Sequence, residues 1–378
     1  MIIRSLELEN FRNCRSLKID FSEGTNILYG DNAQGKTNIL EAIFISSTTR
    51  SHKSSKDKDI IHFGGDDAHI RTYIEKDKDI TKVDMHLRGT KSKGIAINNQ
   101  SIKRAAELMG ILNVVFFSPE DLAIIKDGPS ERRRFVDMDL CQLDSFYLYN
   151  LTNYNRVVTQ RNKLLKDIQL NPELKDSISV WDEQLIKFGI KLIDRRNSFA
   201  GQLNRLVKNI HKSLSGHKEE LNVFYEPNVS MEDFEAELAN SLEKDIKLKQ
   251  TNVGPHRDDF AFYINEIDIR KFGSQGQQRT AALSLKLAEI DLIRRLKKDV
   301  PVLLLDDVLS ELDSKRQNYL LKNIGSIQTI ITCTGLDDFV SRRFNVDRVF
   351  RVVDGDVMLL EEGLPKGPPQ QQQKKKKK

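Results

Sequence analysis

The stretch that most limits what this chain can fold into is a glycine-rich loop between a short apolar run, residues 25–29, and a helical pattern. The loop matches the phosphate-binding pattern G-x-x-x-x-G-K-T with residues Gly30, Asp31, Asn32, Ala33, Gln34, Gly35, Lys36 and Thr37. Glycines permit a tight turn whose N–H groups face phosphate oxygens, and the helix adds the positive end of its dipole. We expect Lys36 to reach the β- and γ-phosphates and Thr37 to bind Mg²⁺. This order predicts an α/β fold built around a nucleotide site.

A metal-binding carboxylate for such a site is supplied by the stretch PVLLLDD. Residues 302–305 are all apolar, as in the buried central strand of a parallel sheet. Asp306 follows at the C-terminal end of that strand, where open α/β sheets place their ligands. Asp306 is therefore expected to hold Mg²⁺, directly or through water, and Asp307 to act as general base toward the attacking water.

The polar loop at residues 273–279 is a second candidate for anion binding. It contains two glycines, a serine and three glutamines just ahead of a long helical pattern. Ser274 can donate its hydroxyl and Gly276 leaves its N–H accessible, both at the positive end of the helix. A simple helix cap would explain only part of this composition.

The pattern along the chain alternates between strands and helices. Strand patterns fill residues 1–30 and 66–120, with a hairpin turn expected at Asn98-Asn99. Residues 131–247 are almost entirely helical in pattern, and strands return after residue 250 with FAFYINEIDI, VPVLLLDDV and TIITCT. We therefore predict a head at 1–120 and 250–362, a helical insertion at 121–249, and a disordered basic tail at 363–378.

Bulk composition excludes some classes of protein and leaves others open. The formal net charge of +5 says little about nucleic acid, because the lysines at 374–378 supply all of it. No apolar run reaches about 18 residues, so a membrane span is not expected. Cys14, Cys141 and Cys333 are too few and scattered for a disulfide set or metal site, which favours a cytoplasmic protein.

The order of the motifs resembles the ATPase heads of the ABC class, in their SMC-like DNA-repair branch. The order is ENFRN at 9–13, the phosphate loop, a helical insertion, SQGQQR, LLLDD and SELD. Three phrases, FFSPEDL at 116–122, GPHRDD at 254–259 and SQGQQRT at 274–280, resemble the bacterial recombination mediators. The resemblance covers residues 1–362. It implies an α/β, ABC-type P-loop ATPase head, a mixed sheet flanked by helices, with an inserted α-helical lobe.

The resemblance also implies roles for residues beyond the phosphate loop. Arg12 and Asn13 would lie near the nucleotide, with Arg12 on phosphate. Ser274, Gly276 and Gln277 would cap the γ-phosphate bound by a second subunit, so that two ATP molecules are buried in a head-to-tail homodimer. Residues 310–313 (SELD) match the loop that crosses that interface.

The function implied by the resemblance is an ATP-gated DNA clamp of recombinational repair and replication restart. It would act on double-stranded, gapped or single-strand junction DNA in the nucleoid, support the SOS response and help to load RecA with RecO and RecR. Transporters carry Glu where this chain has Asp307, and a histidine where it offers Thr332 and Thr334. The resemblance therefore implies a weak, DNA-dependent ATPase.

The candidate DNA contacts are local basic patches. Residues 48–58 form a polar, basic stretch after the helix of the phosphate loop. Its Arg50, Lys53, Lys56 and Lys58 could follow DNA phosphates without reading bases. The basic stretches at 131–134 (ERRR) and 103–108 (KRAAEL) are further candidates. GPHRDD could form an internal polar network or link the nucleotide to an interface.

Three other classes compete with the clamp. A transporter subunit is opposed by Asp307, by the missing histidine and by the large insertion. A chromosome-structure protein would need a far longer coiled coil than residues 121–249 allow. A P-loop kinase has no use for the loop that begins at Ser274.

Overall fold

The computed structural model describes residues 1–52, 56–89, 92–325, 327–335 and 346–362. Its strands are β1 (Ile2–Phe11), β2 (Cys14–Asp20), β3 (Thr25–Tyr29), β4 (Asp67–Lys76), β5 (Asp79–Arg88), β6 (Gly94–Ile97), β7 (Gln100–Ser101), β8 (Val114–Phe117), β9 (Leu221–Glu226), β10 (Asp259–Ile264), β11 (Ile267–Asp268), β12 (Val302–Asp306), β13 (Thr329–Cys333), β14 (Val346–Val353) and β15 (Asp356–Glu362). Its helices are α1 (Lys36–Thr48), α2 (Ala123–Lys126), α3 (Pro129–Leu143), α4 (Ser145–Ile168), α5 (Ser179–Leu214), α6 (Phe234–Asn240), α7 (Leu242–Leu248), α8 (Ile269–Phe272), α9 (Gln275–Lys297) and α10 (Ser314–Ile324).

The chain divides into two compact units. The first comprises Met1–Ser46, Arg50–Ser101 and the described residues from Val302 onward, and the second comprises Ser47–Thr49 and Ile102–Pro301. Residues 102–120 and 250–301 thus pack with the helices of the predicted insertion, and the division at 121 and 249 stays a prediction. The predicted tail at 363–378 lies outside the described residues. Within the described ranges, no helix is both long and apolar enough to cross a bilayer.

One sheet of the first unit is antiparallel, in the order β2-β1-β4-β5-β6-β7. Strand β4 alternates between buried and half-buried side chains, as expected for a sheet with one face on the core. The predicted turn at Asn98-Asn99 is confirmed, since it joins β6 to β7 with φ of 49° and 67°. Asparagine tolerates these left-handed angles better than most residues.

The other sheet of this unit carries the phosphate loop. Strand β3 pairs in parallel with β13 and β14, and β13 pairs in parallel with β12, whereas β14 and β15 are antiparallel. The predicted mixed sheet is therefore confirmed. The apolar residues of β12 are fully buried, and each such side chain stabilises the fold by about 1.5–3 kcal/mol. Because the strands are parallel and in register, the C-terminal ends of β3, β12 and β13 meet at one edge.

The second unit is mainly helical, and its longest helix is the 36-residue α5. Six apolar residues of this helix, at spacings of three, four or seven, are buried: Leu185, Leu192, Phe199, Leu203, Leu206 and Ile210. Residues 131–247, predicted to be almost entirely helical, also contain the strand β9, which pairs with β10. The stretch FAFYINEIDI is not one strand. Asn265 and Glu266, with φ of 48° and 69°, turn it back as β11 before α8 begins.

The stretch GPHRDD forms an internal polar network, one of the two roles left open above. Asp258 is fully buried and accepts hydrogen bonds from Arg196 Nη1 at 2.8 Å, Tyr225 Oη at 2.5 Å and the Asn228 N–H at 2.8 Å. Next to it, Asp259 accepts two hydrogen bonds from Arg132, at 2.6 and 3.0 Å. Arg132 is therefore an interior residue, and its proposed place in a DNA-binding cluster is wrong.

His256 is held in this network as a neutral ring. The hydroxyl of Tyr154 donates to Nδ1 at 2.7 Å, and Nε2–H donates to the Thr251 carbonyl at 2.9 Å. One nitrogen accepts and the other donates, which is the pattern of an uncharged imidazole. Burial lowers the pKa of His256 to about 4, against the usual 6.5.

We expect His256 to make stability depend on pH between about 4 and 6.5. In that range the unfolded chain binds a proton at this position that the folded chain does not, so the free energy of unfolding falls as the pH falls. His256→Gln should lower the slope of unfolding free energy against pH in this range. The decrease should equal the contribution of about one proton bound by the unfolded chain alone. Denaturant titrations across this range test the difference in slope. Above about pH 6.5 the two slopes should coincide, and equal slopes below it would contradict the assignment.

Candidate nucleotide site

Two glycines of the phosphate loop are needed because other parts of the chain lie against them. A Cβ on Gly30, whose φ is 155°, would lie 2.3 Å from the carbonyl oxygen of Val352. A Cβ on Gly35, whose φ is 109°, would lie 2.8 Å from Oδ1 of Asn13. Between the two glycines, residues 31–33 are exposed. The loop thus closes tightly at both ends and presents its middle to solvent.

Lys36 holds its ammonium group at this loop. Its Nζ donates to the carbonyls of Gly30 at 2.6 Å and Asp31 at 2.7 Å, and only 7% of the residue is exposed. Burial lowers the pKa of Lys36, and the negative charge of Asp307 is the strongest influence in the opposite direction. The predicted phosphate-binding lysine and the predicted base are therefore electrostatic neighbours.

Asp306 lies at the centre of the site. Its Oδ1 accepts a hydrogen bond from Thr37 Oγ1 at 2.8 Å and another from Thr332 Oγ1 at 2.8 Å, and the residue is 5% exposed. The structure thus brings together Thr37 and Asp306, the two residues predicted to bind metal. A carboxylate beside a hydroxyl is an oxygen ligand set that suits a hard divalent cation.

Asp307 has a left-handed backbone, with φ of 53°. Its N–H donates to Thr332 Oγ1 at 3.0 Å, and its carbonyl accepts from Ser310 Oγ at 2.7 Å. Asp and Asn tolerate this conformation better than Glu. The backbone therefore favours the residue found here over the glutamate of transporters. Its role as a base stays a prediction.

Asn13 supports the phosphate loop. Its Nδ2 donates to the carbonyl of Gln34 at 3.1 Å, and its Oδ1 accepts from Asn38 Nδ2 at 2.7 Å. The backbone N–H of Asp354 and that of Gly355 bind Gln34 as well, at 2.7 and 2.9 Å. Asn13 is therefore beside the loop, as predicted, and a contact with nucleotide stays a prediction.

Arg12 makes an ion pair with the helix of the loop. Two hydrogen bonds, at 2.9 and 2.8 Å, join its guanidinium to Glu41 of α1, and a third reaches the Asp59 carbonyl at 2.7 Å. Burial would raise the pKa of Glu41, but hydrogen bonds from Arg12 and Ser51 lower it instead. Arg12 thus joins α1 to the turn at residues 57–59, and its predicted contact with phosphate is untested.

The loop before α9, in the second unit, is a helix cap. Ser274 Oγ accepts from the Gln277 N–H at 3.2 Å, and Gln277 Oε1 accepts from the Ser274 N–H at 2.9 Å. This reciprocal pair is a capping box. Ser274 and Gly276 are exposed. In addition, Gln278 is buried and donates to the Ile269 carbonyl at 2.8 Å. Two of the three glutamines thus have structural roles.

The predicted DNA-binding residues lie mainly on the surface. Arg50, Lys56 and Lys58 are exposed, and Lys53 lies outside the described residues. Asp57, between two of the lysines, is bound by Lys93 Nζ at 2.8 Å. The structure therefore leaves cationic groups at the surface of this segment, and DNA contact stays a prediction.

Thr332 has a role that sequence reasoning missed. Its hydroxyl donates to Asp306 and accepts the N–H of Asp307, a role different from that of the histidine found in transporters. The parallel register places Thr332 directly beside Asp306. The signal available in the sequence was a threonine near the end of the apolar strand pattern TIITC.

The fold and the site define an ABC-type ATPase head. The family model described as RecF/RecN/SMC N terminal domain matches residues 2–355. This chain belongs to that family.

Individual relatives agree with the family assignment. The chain is 60% identical to the DNA replication and repair protein RecF of Lachnoclostridium phytofermentans, over 94% of this chain and 99% of that protein. It is 58% identical to the RecF protein of Agathobacter rectalis, over 96% and 100%. A solved structure of the recombination mediator protein RecF with ATP, in the RecFOR pathway, matches with a TM-score of 0.89 and 36% identity over 95% of this chain and 97% of that one.

A more distant likeness concerns the fold alone. An Smc head domain from Pyrococcus furiosus matches with a TM-score of 0.54 and 18% identity over 96% of each chain. The predicted relation to SMC-like ATPase heads is confirmed at that level.

Thr332→Val should impair ATP hydrolysis because it removes the hydroxyl that orients Asp306 and Asp307. We expect hydrolysis to slow, or the Mg²⁺ requirement to rise, by about 10- to 100-fold, the usual cost of losing a partner of a metal ligand. Steady-state rates across a Mg²⁺ titration measure this. Thr332→Ser, which keeps the hydroxyl, should restore activity.

Thr329→Val is the matched control. Thr329 is a buried threonine on the same strand, and its hydroxyl bonds only the Ile327 carbonyl among the described contacts. It should keep the Mg²⁺ dependence of the unchanged chain. Equal effects at both positions would show that Thr332 acts through general stability.

Proposed function

We propose that this protein is an ATP-dependent DNA clamp of recombinational repair and replication restart. ATP drives its head-to-tail dimerisation on gapped or single-strand junction DNA, and slow hydrolysis resets it. The proposal depends mainly on a hydrogen-bonded network beside the phosphate loop. Its members are Thr37, Asp306, Thr332 and Asp307. The relatives' description as DNA replication and repair proteins supports the cellular role.

The residues present define how hydrolysis would proceed. The exposed middle of the loop and Lys36 would bind the phosphates of ATP, and Thr37 and Asp306 would hold Mg²⁺. When bound, Mg²⁺ neutralises charge on the β- and γ-phosphates. Asp307 would accept a proton from water as the water oxygen bonds to the γ-phosphorus. The bond from that phosphorus to the bridging oxygen then breaks, leaving ADP and phosphate.

Hydrolysis is expected to be slow for a geometric reason. The carboxylate of Asp307 is one methylene shorter than that of a glutamate, and its left-handed backbone is held by Thr332 and Ser310. A slow step keeps the ATP-bound state long-lived, which suits a switch better than a transporter. We therefore propose a weak, DNA-dependent ATPase.

Dimerisation is proposed from the N-terminus of α9. Fourteen residues of this helix are buried, so packing holds the helix in place within the second unit. Its exposed end carries Ser274 and Gly276 at the positive pole of the helix dipole. Such an end can receive the γ-phosphate of ATP bound to another copy of the chain.

The link from nucleotide to DNA is proposed to run through Arg12. Its guanidinium joins Glu41, on the helix of the phosphate loop, to the turn at residues 57–59. The exposed Arg50, Lys56 and Lys58 belong to the same segment. By likeness to the RecF structure, whose protein acts in the RecFOR pathway, RecO and RecR are the proposed partners in loading RecA in the bacterial nucleoid.

Ser274→Arg should abolish ATP-dependent dimerisation, because a bulky cation would fill the end of α9. Asp307→Asn should do the opposite and trap the dimer, since Asn tolerates the left-handed backbone but cannot take the proton. Sedimentation velocity with and without ATP measures both, and nucleotide binding should survive in each variant.

Ser179→Arg is the control for the first variant. It adds the same side chain at the exposed first residue of α5. This variant should dimerise with ATP as the unchanged chain does. ATP-dependent dimers of Ser274→Arg would overturn the proposed interface, and a monomer under all conditions would overturn the clamp.

Replacing Arg50, Lys56 and Lys58 with Ala should weaken binding to gapped DNA and flatten its salt dependence. The slope of log K against log salt should fall by about 0.9 for each duplex phosphate that the variant no longer neutralises. Fluorescence anisotropy over a salt series measures it. Ala at Lys163, Lys166 and Lys187, three exposed lysines on α4 and α5, is the charge control. An unchanged slope in the triple variant would remove this segment from the DNA surface.

A further inference from the structure

Three potential metal ligands meet on the half-buried face of the β4–β5 hairpin. His69 and His86 lie directly opposite each other in the antiparallel register, and Asp67 precedes His69 by two residues on the same face. The two imidazole rings are stacked, with centroids 4.1 Å apart and planes at 16°. The ligand atoms of all three residues lie within 4.8 Å of one another.

We propose that Asp67, His69 and His86 form a binding site for a borderline divalent transition metal such as Zn²⁺. None of these residues belongs to the nucleotide site. With Zn–N and Zn–O bonds near 2.1 Å, tetrahedral ligands are separated by about 3.4 Å. His86 Nε2 lies 2.7 Å from Asp67 Oδ2, and all three ligand atoms lie within 4.8 Å of one another. Binding one ion therefore requires these side chains to rotate from their present positions.

The types of ligand indicate which metal would bind. Two imidazoles with one carboxylate suit Zn²⁺, Co²⁺, Ni²⁺ or Cu²⁺, whereas Mg²⁺ and Ca²⁺ prefer oxygen ligands alone. Glu9 of β1 lies opposite His69 in the register and is exposed. It adds a negative charge to the same row of the sheet, which favours a bound cation.

Arg88 competes with the metal. Its Nε and Nη2 donate to Nδ1 of His86 at 3.2 and 3.1 Å, which leaves the ring proton on Nε2, facing Asp67. Metal at Nε2 requires that this proton move to Nδ1. Arg88, an exposed side chain, must then turn away. Removing its guanidinium should therefore strengthen metal binding.

A metal at this position would cross-link β4 and β5 at the open end of the hairpin. Asp67 pairs with Arg88 at the last position of the ladder, far from the turn between Lys76 and Asp79. Just beyond it, only the Gly89 N–H to Asp66 carbonyl bond of 3.3 Å joins the two backbones among the described contacts. A ligand that binds only the folded chain raises its stability.

The test is calorimetric titration of the full chain with ZnCl₂, without nucleotide and with excess Mg²⁺. We expect the His69→Ala/His86→Ala variant to lose one equivalent of Zn²⁺ relative to the unchanged chain. His217→Asn, at an exposed histidine with a left-handed φ of 64°, should keep that equivalent. The visible spectrum of bound Co²⁺ should lose its tetrahedral bands in the double variant only. Equal stoichiometry and affinity in all three proteins would overturn the proposal.

Two further variants keep the proposal falsifiable if the double variant does not fold. Asp67→Asn should bind Zn²⁺ at least about tenfold more weakly, since even partners of ligands cost that much. Arg88→Gln should bind it more tightly. Weaker binding by Arg88→Gln, or unchanged binding by Asp67→Asn, would contradict the proposed geometry. The rise in melting temperature on adding Zn²⁺ should be largest for Arg88→Gln, intermediate for the unchanged chain and smallest for Asp67→Asn.

Discussion

The site depends on one carboxylate oxygen, Oδ1 of Asp306, which two hydroxyls share. One hydroxyl comes from Thr37 at the start of α1, and the other from Thr332 on the neighbouring strand. The same Thr332 hydroxyl receives the N–H of Asp307. The phosphate-loop helix, the acidic strand and the proposed base are therefore positioned by a single short network. Because it is buried, each hydrogen bond in it is costly to leave unmade.

The phosphate loop is held by residues far away in the chain. Val352 lies against Gly30, Asn13 lies against Gly35, and the turn at Asp354 and Gly355 binds Gln34. These contacts fix the loop before any nucleotide arrives, which lowers the entropic cost of binding. The resemblance of the ENFRN motif to SMC-like ATPase heads predicts that Asn13 lies near the nucleotide. Its hydrogen bonds to Gln34 and Asn38 show how it supports the loop.

Much of the site was predictable because its signals are local. A phosphate loop, an apolar strand ending in two aspartates and a serine before a helix are each visible in fewer than ten residues. Other features need partners from elsewhere. Residues 221–226 lie in a region of helical pattern, yet they form β9 because β10 pairs with them. Arg132 resembles a surface cation in the sequence, yet it is buried, where it donates two hydrogen bonds to Asp259. Hydrogen bonds of this kind join residues more than 30 positions apart.

By itself, the sequence determined the class of fold, the phosphate loop, the two aspartates and the helix cap at Ser274, because each follows from short-range geometry and side-chain chemistry. Only the tertiary structure decided what Thr332, Asn13 and Arg12 contact, and that Asp67, His69 and His86 meet on one face. Strand register decides these neighbours. Register is set by pairing and burial across the whole sheet, so no stretch of sequence specifies it alone.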